Sequence, residues 1–443
     1  MKRYDLTNGG IAGTLIAFAL PYLFSSFMQS LYGAVDVYVI GRFCDAASLS
    51  AVNIGGQLMH VITVIILGLA MGTTVCVGQS VGAGDERRAG AALGSSVLLF
   101  GIFSAVMTPL MFLGSGIFAK IMNTPPEAVS QTAEYLSICA LGIPFISAYN
   151  VVSSALRGAG NSRAPMYFIA AACVVNIGGD FLFTGVLGMG VSGVAAATVL
   201  AQAVSSIAGI IYLLKTQFNA ERSEMKPRKN ILREMLKVGV PLAAQDFLVQ
   251  VSFMVITIIA NSRGVAASAA VGTVEKIIIF LFLVPSSFMS AISAITAQNV
   301  GADKHERAVK TVRLGILITM LYGAAVWGIS QFIPDTIISV FTHDPKVVEY
   351  GAQYLRSYTI DCMMCGLTFC LNGYLCGCGK SIVTFVHNTI SSFVVRIPLV
   401  YILSSAFPQT LFPMGFGAPI GSAVSAVILI VYIMTARKKG LLR

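Results

Sequence analysis

Long apolar runs, each about the length of a membrane span, follow one another along almost the whole chain. Polar and charged residues gather in the short stretches between these runs and rarely interrupt them. A helix needs roughly 20 mostly apolar residues to cross a hydrocarbon core about 30 Å thick. The pattern therefore predicts twelve transmembrane helices, at approximately residues 12–40, 48–77, 89–114, 130–156, 164–186, 190–214, 232–260, 267–297, 311–332, 350–375, 382–404 and 416–436.

The runs are continuous in Leu, Ile, Val, Ala and Phe and do not alternate with polar residues. A transmembrane β-barrel would show alternating segments of about ten residues, so helices are the remaining way to satisfy the backbone in lipid. The chain is 56% hydrophobic and 11% charged, against about 25% charged residues in a soluble domain. The first run is too long for a signal-peptide core and is interpreted as an uncleaved span. The fold class is an all-α integral membrane protein.

Most of the 29 lysines and arginines fall in alternate loops, on one side of the predicted spans. Because positive residues accumulate on the cytoplasmic side, we expect a multi-pass protein of the cell inner (plasma) membrane with both termini cytoplasmic. This placement accounts for the net charge of +10 without a nucleic-acid partner. The longest polar stretch, residues 215–237, follows span six and is typical of a linker.

The two halves of the chain resemble each other at one constant spacing. The segment that begins at Tyr135 aligns without gaps with the segment that begins at Tyr354, and the same spacing pairs "QSVGAGDERRA" from Gln79 with "QNVGADKHERA" from Gln298. Six spans per half is an even number, so equivalent helices run in the same direction and form a parallel pseudo-two-fold repeat. Such duplication is typical of transporters. We predict an N-terminal six-helix bundle, a cytoplasmic linker and a C-terminal six-helix bundle at residues 1–216, 217–230 and 231–443.

Few ionisable residues lie within the predicted spans. A charge in the hydrocarbon core is costly, so each such residue is a candidate for function. These residues are Asp36, Asp180, Asp246, Glu275, Lys276, Asp361 and Arg396. On span one, Gln29 and Tyr32 share a helical face with Asp36 and form a polar stripe in an otherwise apolar helix.

A second acid lies at similar depth on span five, in the stretch "NIGGDFLF". Asn176 precedes Asp180 by one helical turn, and Thr198 on span six adds a hydroxyl at comparable depth. Together with Asp36 they offer hard oxygen ligands that suit Na⁺, or Ca²⁺ and Mg²⁺ with more charge. Two adjacent carboxylates also hold a proton, because both cannot easily ionise together. The adjacent glycines at 178 and 179 would let helices approach closely here.

The chain resembles the multidrug and toxic compound extrusion (MATE) antiporters, and within them the DinF-like branch. The resemblance covers essentially all twelve spans. It rests on Pro21 and Asp36 in span one, "NIGGD" in span five, Thr198 in span six, "VGAGDERRAG" after span two and "LRGAGNS" after span four. It implies a cation-coupled (Na⁺ or H⁺) multidrug antiporter that exports organic cations and other toxic compounds by alternating access, through rocking of its two bundles.

The resemblance also implies roles for individual residues. The positions that match the coupling-ion site are Asp36, Asn176, Asp180 and Thr198. The positions expected near the substrate cavity are Gln29, Tyr32, Asp36, Asn150, Asp246 and Asp361. Pro21 would be the bend that lets span one move, because a proline removes one bond of the helical ladder.

The charged residues of the second half allow two interpretations. Asp246 and Asp361 lie on spans seven and ten, where another branch of the family carries essential acids, but each lies about one turn from the expected position. They could be counter-charges for a drug. Alternatively, Arg396 pairs with Asp361 or Glu275, and the charges neutralise each other between helices.

No catalytic set is evident, so we expect a transporter that is not an enzyme. The four histidines are scattered, no P-loop interrupts the spans, and no cysteine and histidine cluster would hold zinc. No cofactor or metal is expected beyond the coupling Na⁺ or H⁺, and the monomer is the expected functional unit in the lipid bilayer. The alternative is a lipid-linked oligosaccharide flippase of the related two-bundle superfamily, which would favour a cationic cavity for pyrophosphate.

Overall fold

The computed structural model describes residues 5–216 and 225–440, and within these ranges it contains helices and no β-strand. Residues 217–224 of the predicted linker lie outside the described residues. Ten helices are long and apolar enough to cross a membrane, and two bent helix pairs bring the number to twelve when each pair counts as one span. The predicted all-α membrane fold is confirmed.

The chain divides into two compact units. Of the described residues, unit 1 contains 5–6, 20–216 and 225–239, and unit 2 contains 7–19 and 240–440. The helices of the first half are α1 (Ile11–Phe43), α2 (Ala46–Gly82), α3 (Glu86–Ile121), α4 (Val129–Ala140), α5 (Ile143–Gly158), α6 (Arg163–Asp180), the π-helical turn π1 (Phe181–Val186) and α7 (Gly190–Thr216).

The second half follows the same general order with additional breaks in its helices. Its elements are α8 (Lys229–Asn261), α9 (Val265–Leu281), α10 (Leu283–Gly301), α11 (His305–Phe332), α12 (Pro334–Ser339), α13 (Pro345–Tyr358), α14 (Asp361–Gly377), α15 (Ser381–Thr389), the π-helical turn π2 (Ile390–Arg396), α16 (Ile397–Ala406), α17 (Phe412–Gly415) and α18 (Gly417–Lys438).

Polar residues in the loops start the helices. Asp45 caps α2 and accepts a hydrogen bond from the Ser48 backbone N–H at 2.9 Å. Asp85 caps α3 and accepts one from the Arg88 N–H at 2.8 Å. Such caps satisfy backbone donors that have no partner within the helix. The bonds to Ser48 also hold the pKa of Asp45 below its ordinary value, because they favour the charged carboxylate.

Large apolar side chains lie both inside the units and on their outer surfaces. Phe100 and Ile66 are buried in unit 1, and Tyr354 is buried in unit 2. Leu113 and Val265 are 79% and 87% exposed, respectively. Exposed apolar side chains of this size suit a surface that contacts lipid, where the hydrocarbon replaces water as the solvent.

Spans four and ten are bent, whereas the sequence predicted continuous helices over residues 130–156 and 350–375. Helices α4 and α5 meet at 43°, and α13 and α14 meet at 45°. The breaks, at residues 141–142 and 359–360, fall within one residue of equivalent positions of the internal repeat. The apolar pattern continues through each break, so hydrophobicity alone does not reveal the bend.

The first helix of each half changes unit along its length. Helix α1 passes from unit 2 to unit 1 between Ala19 and Leu20, and α8 passes from unit 1 to unit 2 between Gly239 and Val240. A proline follows each of these points closely, at positions 21 and 241. The boundaries between the two units therefore fall within α1 and α8. The position of the polar linker does not indicate these boundaries.

Candidate functional site

Four polar side chains from α1, α6 and α7 meet inside unit 1. The Asn176 amide donates to Asp36 Oδ1 at 3.1 Å and to Thr198 Oγ1 at 3.3 Å. The Thr198 hydroxyl donates to Asp36 Oδ2 at 3.3 Å. Asp36, Asn176 and Asp180 are buried, and Thr198 is half-buried. Residues far apart in the sequence thus form one cluster.

The cluster depends on a close approach between α6 and α7. A Cβ atom added to Gly179 would lie 2.9 Å from the Cβ of Ala197, so only glycine permits this spacing. Thr198 follows Ala197 directly and is thereby held beside Asn176. The neighbouring Gly178 is exposed, and an added Cβ there would meet nothing within 4 Å. Of the two glycines, only Gly179 serves the expected packing role.

Three oxygens of the cluster lack a hydrogen-bond donor among the described residues. They are both carboxylate oxygens of Asp180 and Oδ1 of Asn176. The Asp180 carboxyl group lies close enough to the Asp36 carboxyl group for the two to interact electrostatically. Two carboxylates share such a position only when a proton or a cation lies between them. The orphaned oxygens, with those of Asp36 and Thr198, fit either a proton or a small hard cation.

A π-helical turn, π1, begins directly after Asp180. Its wider spacing is seen in the bond from the Leu187 N–H to the Leu182 carbonyl at 2.9 Å. Insertions of this kind are frequent at functional sites, where they reposition the adjacent side chains. The equivalent span of unit 2 carries π2, which ends at Arg396. The sequence did not predict either turn.

The other predicted cavity residues of the first half differ in their surroundings. Tyr32 is close enough to Asp36 and Tyr149 to interact with them electrostatically. Gln29 is half-buried on α1. Asn150 is buried, and its amide donates to the Ile146 carbonyl of its own helix at 2.8 Å. Among the hydrogen bonds of the described residues, none joins Gln29 or Asn150 to the four-residue cluster.

Pro21 lies inside α1, which continues past it as one helix. Its carbonyl accepts a bond from the Ser25 hydroxyl at 2.8 Å. The residue stands next to the point where α1 passes between the units, at Ala19 and Leu20. This position agrees with a point of flexibility, although the conformational role itself stays a prediction.

Asp246 and Asp361 both lie in unit 2, on α8 and α14. Asp246 Oδ1 accepts a bond from the neighbouring Gln245 side chain at 3.4 Å. Asp361 Oδ2 accepts one from the Cys365 thiol at 3.3 Å, while its Oδ1 has no donor among the described residues. Among those contacts, none joins the two acids to each other.

The predicted contact pairs of Arg396 are not formed. The guanidinium donates to the Tyr358 hydroxyl at 2.8 Å and lies 4.6 Å from the centre of the Phe253 ring. In the described part of the chain, no ion pair joins it to Asp361 or Glu275, although both acids attract it at longer range. The stacking on aromatic rings replaces carboxylate contacts. Spacing in the sequence could not indicate this choice, because Phe253, Glu275 and Asp361 all lie on other spans than Arg396.

Sequence reasoning also missed a buried polar network in unit 2. The His387 ring contacts Asn372 Oδ1 through Nε2 at 2.7 Å and Ser425 Oγ through Nδ1 at 2.5 Å. The three residues come from α15, α14 and α18. An isolated histidine in an apolar stretch carries no spacing signal, so only the packing of three helices reveals the network.

Comparison with known proteins places this geometry in a family. The MatE family model matches residues 21–182 and 241–402. A probable multidrug resistance protein of Bacillus subtilis, YpnP, is 27% identical over 417 residues, which cover 94% of each chain. A probable multidrug resistance protein of Thermotoga maritima, NorM, is 26% identical over 401 residues, which cover 89% of this chain and 86% of that protein.

A solved structure shares the fold across the whole chain. It is described as the outward-facing conformation of a multidrug resistance MATE family transporter of the MOP superfamily, and it aligns with a TM-score of 0.93 at 21% identity over 99% of both chains. The two matches of one family model confirm the predicted internal repeat. This protein belongs to the MatE family of membrane transporters.

Proposed function

We propose that the protein is a secondary antiporter that exports organic cations and other toxic compounds in exchange for Na⁺ or H⁺. Its relatives YpnP and NorM carry the description of probable multidrug resistance proteins. The predicted location is the plasma membrane, with both termini cytoplasmic, as the distribution of basic residues favours. The monomer is the proposed functional unit.

The buried acids of unit 1 carry this proposal. Asp36 and Asp180 lie close enough to interact electrostatically, and the Asp180 oxygens have no donor among the described residues. A site of this kind requires positive charge to be stable in a medium of low dielectric constant. It would bind a proton, a metal cation or the charged group of a substrate. Once one of these is bound, the negative charge of the site is neutralised and no longer attracts a second positive group.

Exchange follows from this mutual exclusion. Asn176 and Thr198 orient the Asp36 carboxylate through the bonds at 3.1 and 3.3 Å, so its charge is held in one place. When the coupling ion neutralises Asp36 and Asp180, an organic cation loses its counter-charge and is released. Ion and substrate thereby favour different states of the transporter, which is the condition for coupling. The proposed transport cycle is alternating access.

The acidic character of the cluster also separates the two functional alternatives. Its four side chains are two carboxylic acids, an amide and a hydroxyl, and they include no cationic group. A flippase for lipid-linked oligosaccharides would need cations to bind pyrophosphate. The unit 1 site therefore supports cation exchange over the flippase hypothesis.

The test is the efflux of a quaternary ammonium dye from energised vesicles that contain the purified protein. We expect Asp36→Asn and Asp180→Asn each to abolish most coupled efflux, and the double variant to be little worse than either one, because the two acids act as a unit. Asp335→Asn, which changes an exposed acid of α12, is the matched control and should transport normally. Wild-type rates in both site variants would overturn the proposal.

The coupling ion is identified by the same vesicles under two gradients. A Na⁺ gradient at fixed pH and a pH gradient without Na⁺ are applied separately, and dye efflux is followed in each. The gradient that supports efflux in the wild type but not in Asp180→Asn identifies the ion. Efflux that needs neither gradient would contradict secondary transport altogether.

A further inference from the structure

Unit 1 carries a large apolar groove that the transport site does not use. The groove has a volume of 1040 Å³ and lies between α3, α5 and α7. Its lining includes Val97 and Leu98 of α3 together with Ile210 and Leu214 of α7. These four side chains are between 39% and 62% exposed. The groove is thus open to the surroundings of unit 1, which for a membrane-spanning protein are lipid.

The groove has the depth of one membrane leaflet. On α3 it runs from Leu93 to Ser104, a rise of about 16 Å at 1.5 Å per residue. Half of a hydrocarbon core measures about 15 Å. On α7 it includes Leu214, close to the end of that helix at Thr216. The groove therefore lies in the leaflet next to the linker, which the basic loops predict to be the cytoplasmic one.

The end of the linker closes the groove at the membrane surface. Met225 and Pro227 contribute to its lining. The Arg228 backbone N–H donates to the Ser95 hydroxyl of α3 at 3.1 Å. A Cβ atom at Gly94 would clash with the Met225 backbone, so the linker crosses α3 in direct contact there. These contacts fix the position of the segment at the mouth of the groove.

Basic residues adjoin the lining residues at this mouth. Lys226 and Arg228 alternate with the two lining residues of the linker, and both are exposed. Lys215 follows Leu214 at the end of α7 and is also exposed. In the described part of the chain, no ion pair neutralises any of the three. The result is an apolar channel of leaflet depth with positive charge at its polar end.

We propose that this groove binds an anionic phospholipid, with one acyl chain between α3, α5 and α7 and the phosphate headgroup at Lys215, Lys226 and Arg228. Basic pockets between transmembrane helices on the cytoplasmic side suit such headgroups. An organic cation would be repelled by the same three charges, so the groove favours lipid over a transport substrate. The bound lipid would hold the linker against α3. The proposal needs only a membrane-spanning chain and is independent of the transport mechanism.

Tryptophan fluorescence can test the site, because the chain has a single tryptophan. In a Trp327→Phe background, Leu98→Trp places a reporter in the groove. Leu113→Trp, on the same helix but outside the groove lining, is the matched control and is also exposed to lipid. Each variant is reconstituted in phosphatidylcholine vesicles that contain increasing amounts of a quenching lipid, either brominated phosphatidylglycerol or brominated phosphatidylcholine.

We expect half-maximal quenching of the Leu98→Trp reporter at a severalfold lower fraction of brominated phosphatidylglycerol than of brominated phosphatidylcholine. The Leu113→Trp reporter should not distinguish the two lipids. Lys226→Gln and Arg228→Gln should each remove most of this preference, since a basic residue near an anionic surface contributes about 1 kcal/mol, which is about fivefold in affinity. Lys438→Gln, an exposed lysine at the end of α18, should leave the preference unchanged.

Three results would overturn the proposal. The first is equal quenching of the groove reporter by the two lipids. The second is a preference that survives the loss of both Lys226 and Arg228. The third is relief of quenching by tetraphenylphosphonium, an organic cation, which would make the groove a substrate site. Each measurement records fluorescence quenching at equilibrium and does not require transport. The test would therefore give the same result if the protein had no transport activity.

Discussion

At the scale of single residues, the most informative group is the Thr198 hydroxyl. It accepts a bond from Asn176 at 3.3 Å and donates one to Asp36 at 3.3 Å. Threonine in a helix often bonds its own backbone instead. Here the hydroxyl bridges α1 and α6 from α7, so it helps to orient the carboxylate of the proposed ion site.

We predict that Thr198→Val raises the concentration of coupling ion needed for half-maximal efflux by roughly tenfold. A hydrogen bond to a charged group contributes about 1.5–3 kcal/mol, and valine has a similar shape but no hydroxyl. Thr198→Ser keeps the hydroxyl and should lie close to the wild type. The measurement is dye efflux against ion concentration. Equal values for valine and serine would show that the hydroxyl does not act on the site.

At the scale of elements, the spacing of α6 and α7 controls whether the cluster forms. Gly179 faces Ala197, with room for no larger side chain, whereas Gly178 points outward. The π-helical turn that follows Asp180 then changes the direction of the next residues. The site therefore depends on one close helix contact and one irregular turn, both within a few residues.

Gly179→Ala is expected to lower the thermal unfolding midpoint and to impair coupled efflux. Its new methyl group would meet Ala197 at 2.9 Å, and overpacking of this kind costs about 1–3 kcal/mol. Gly178→Ala is the matched control, because its methyl group meets nothing within 4 Å. Unfolding of both variants, followed by the fluorescence of labelled cysteines, would measure the difference. The same loss in both variants would mean that backbone freedom, not helix contact, is responsible.

Pro21→Ala should reduce transport turnover severalfold without lowering thermal stability. Alanine restores a helical N–H at the point where α1 passes between the units, so the helix becomes stiffer there. Pro109→Ala is the matched control, because that proline also lies inside a helix, α3, but α3 stays within unit 1. Efflux rates and unfolding midpoints are compared. Equal turnover in the two variants would show that Pro21 has no specific role in the transport cycle.

At the scale of the whole molecule, the division into units falls inside α1 and α8 and not at the linker. The first residues of α8 belong to unit 1 because two glycines allow direct backbone contact. A Cβ at Gly239 would lie 2.8 Å from the Leu69 carbonyl oxygen, and one at Gly72 would clash with the Met235 carbonyl. In unit 2, Arg307 binds the Gly9 carbonyl at 2.7 Å, just before α1.

Gly239→Leu should release the first segment of α8 from α2. The contact is with backbone atoms of Leu69, which cannot move aside as a side chain can. We expect faster amide hydrogen exchange over residues 229–239 and a lower unfolding midpoint. Gly272→Leu in α9 is the control, since its added Cβ would meet nothing within 4 Å. Unchanged exchange in the Gly239 variant would show that other contacts hold the segment.

Much of the fold could be predicted because each span must be apolar over a fixed length. The spans, the repeat and the family resemblance all depend on composition and spacing. The family and the repeat are confirmed, and ten spans are found, or twelve when each bent pair counts as one. The pairs expected for Arg396 were not formed, because the guanidinium stacks on Phe253 and bonds Tyr358. Packing decides which of several possible partners a buried charge contacts. A sequence pattern does not contain this information.

The sequence by itself determined the membrane class, the duplication and the choice of Asp36, Asn176, Asp180 and Thr198 as candidates, since polar residues in lipid are costly and therefore rare. Tertiary structure decided that these four side chains meet, that Asp180 lacks a donor among the described residues, and that α1 and α8 change unit next to Pro21 and Pro241. Lipid selects for hydrophobicity along each helix, but contacts between helices depend on shape, and shape is set only when the helices pack.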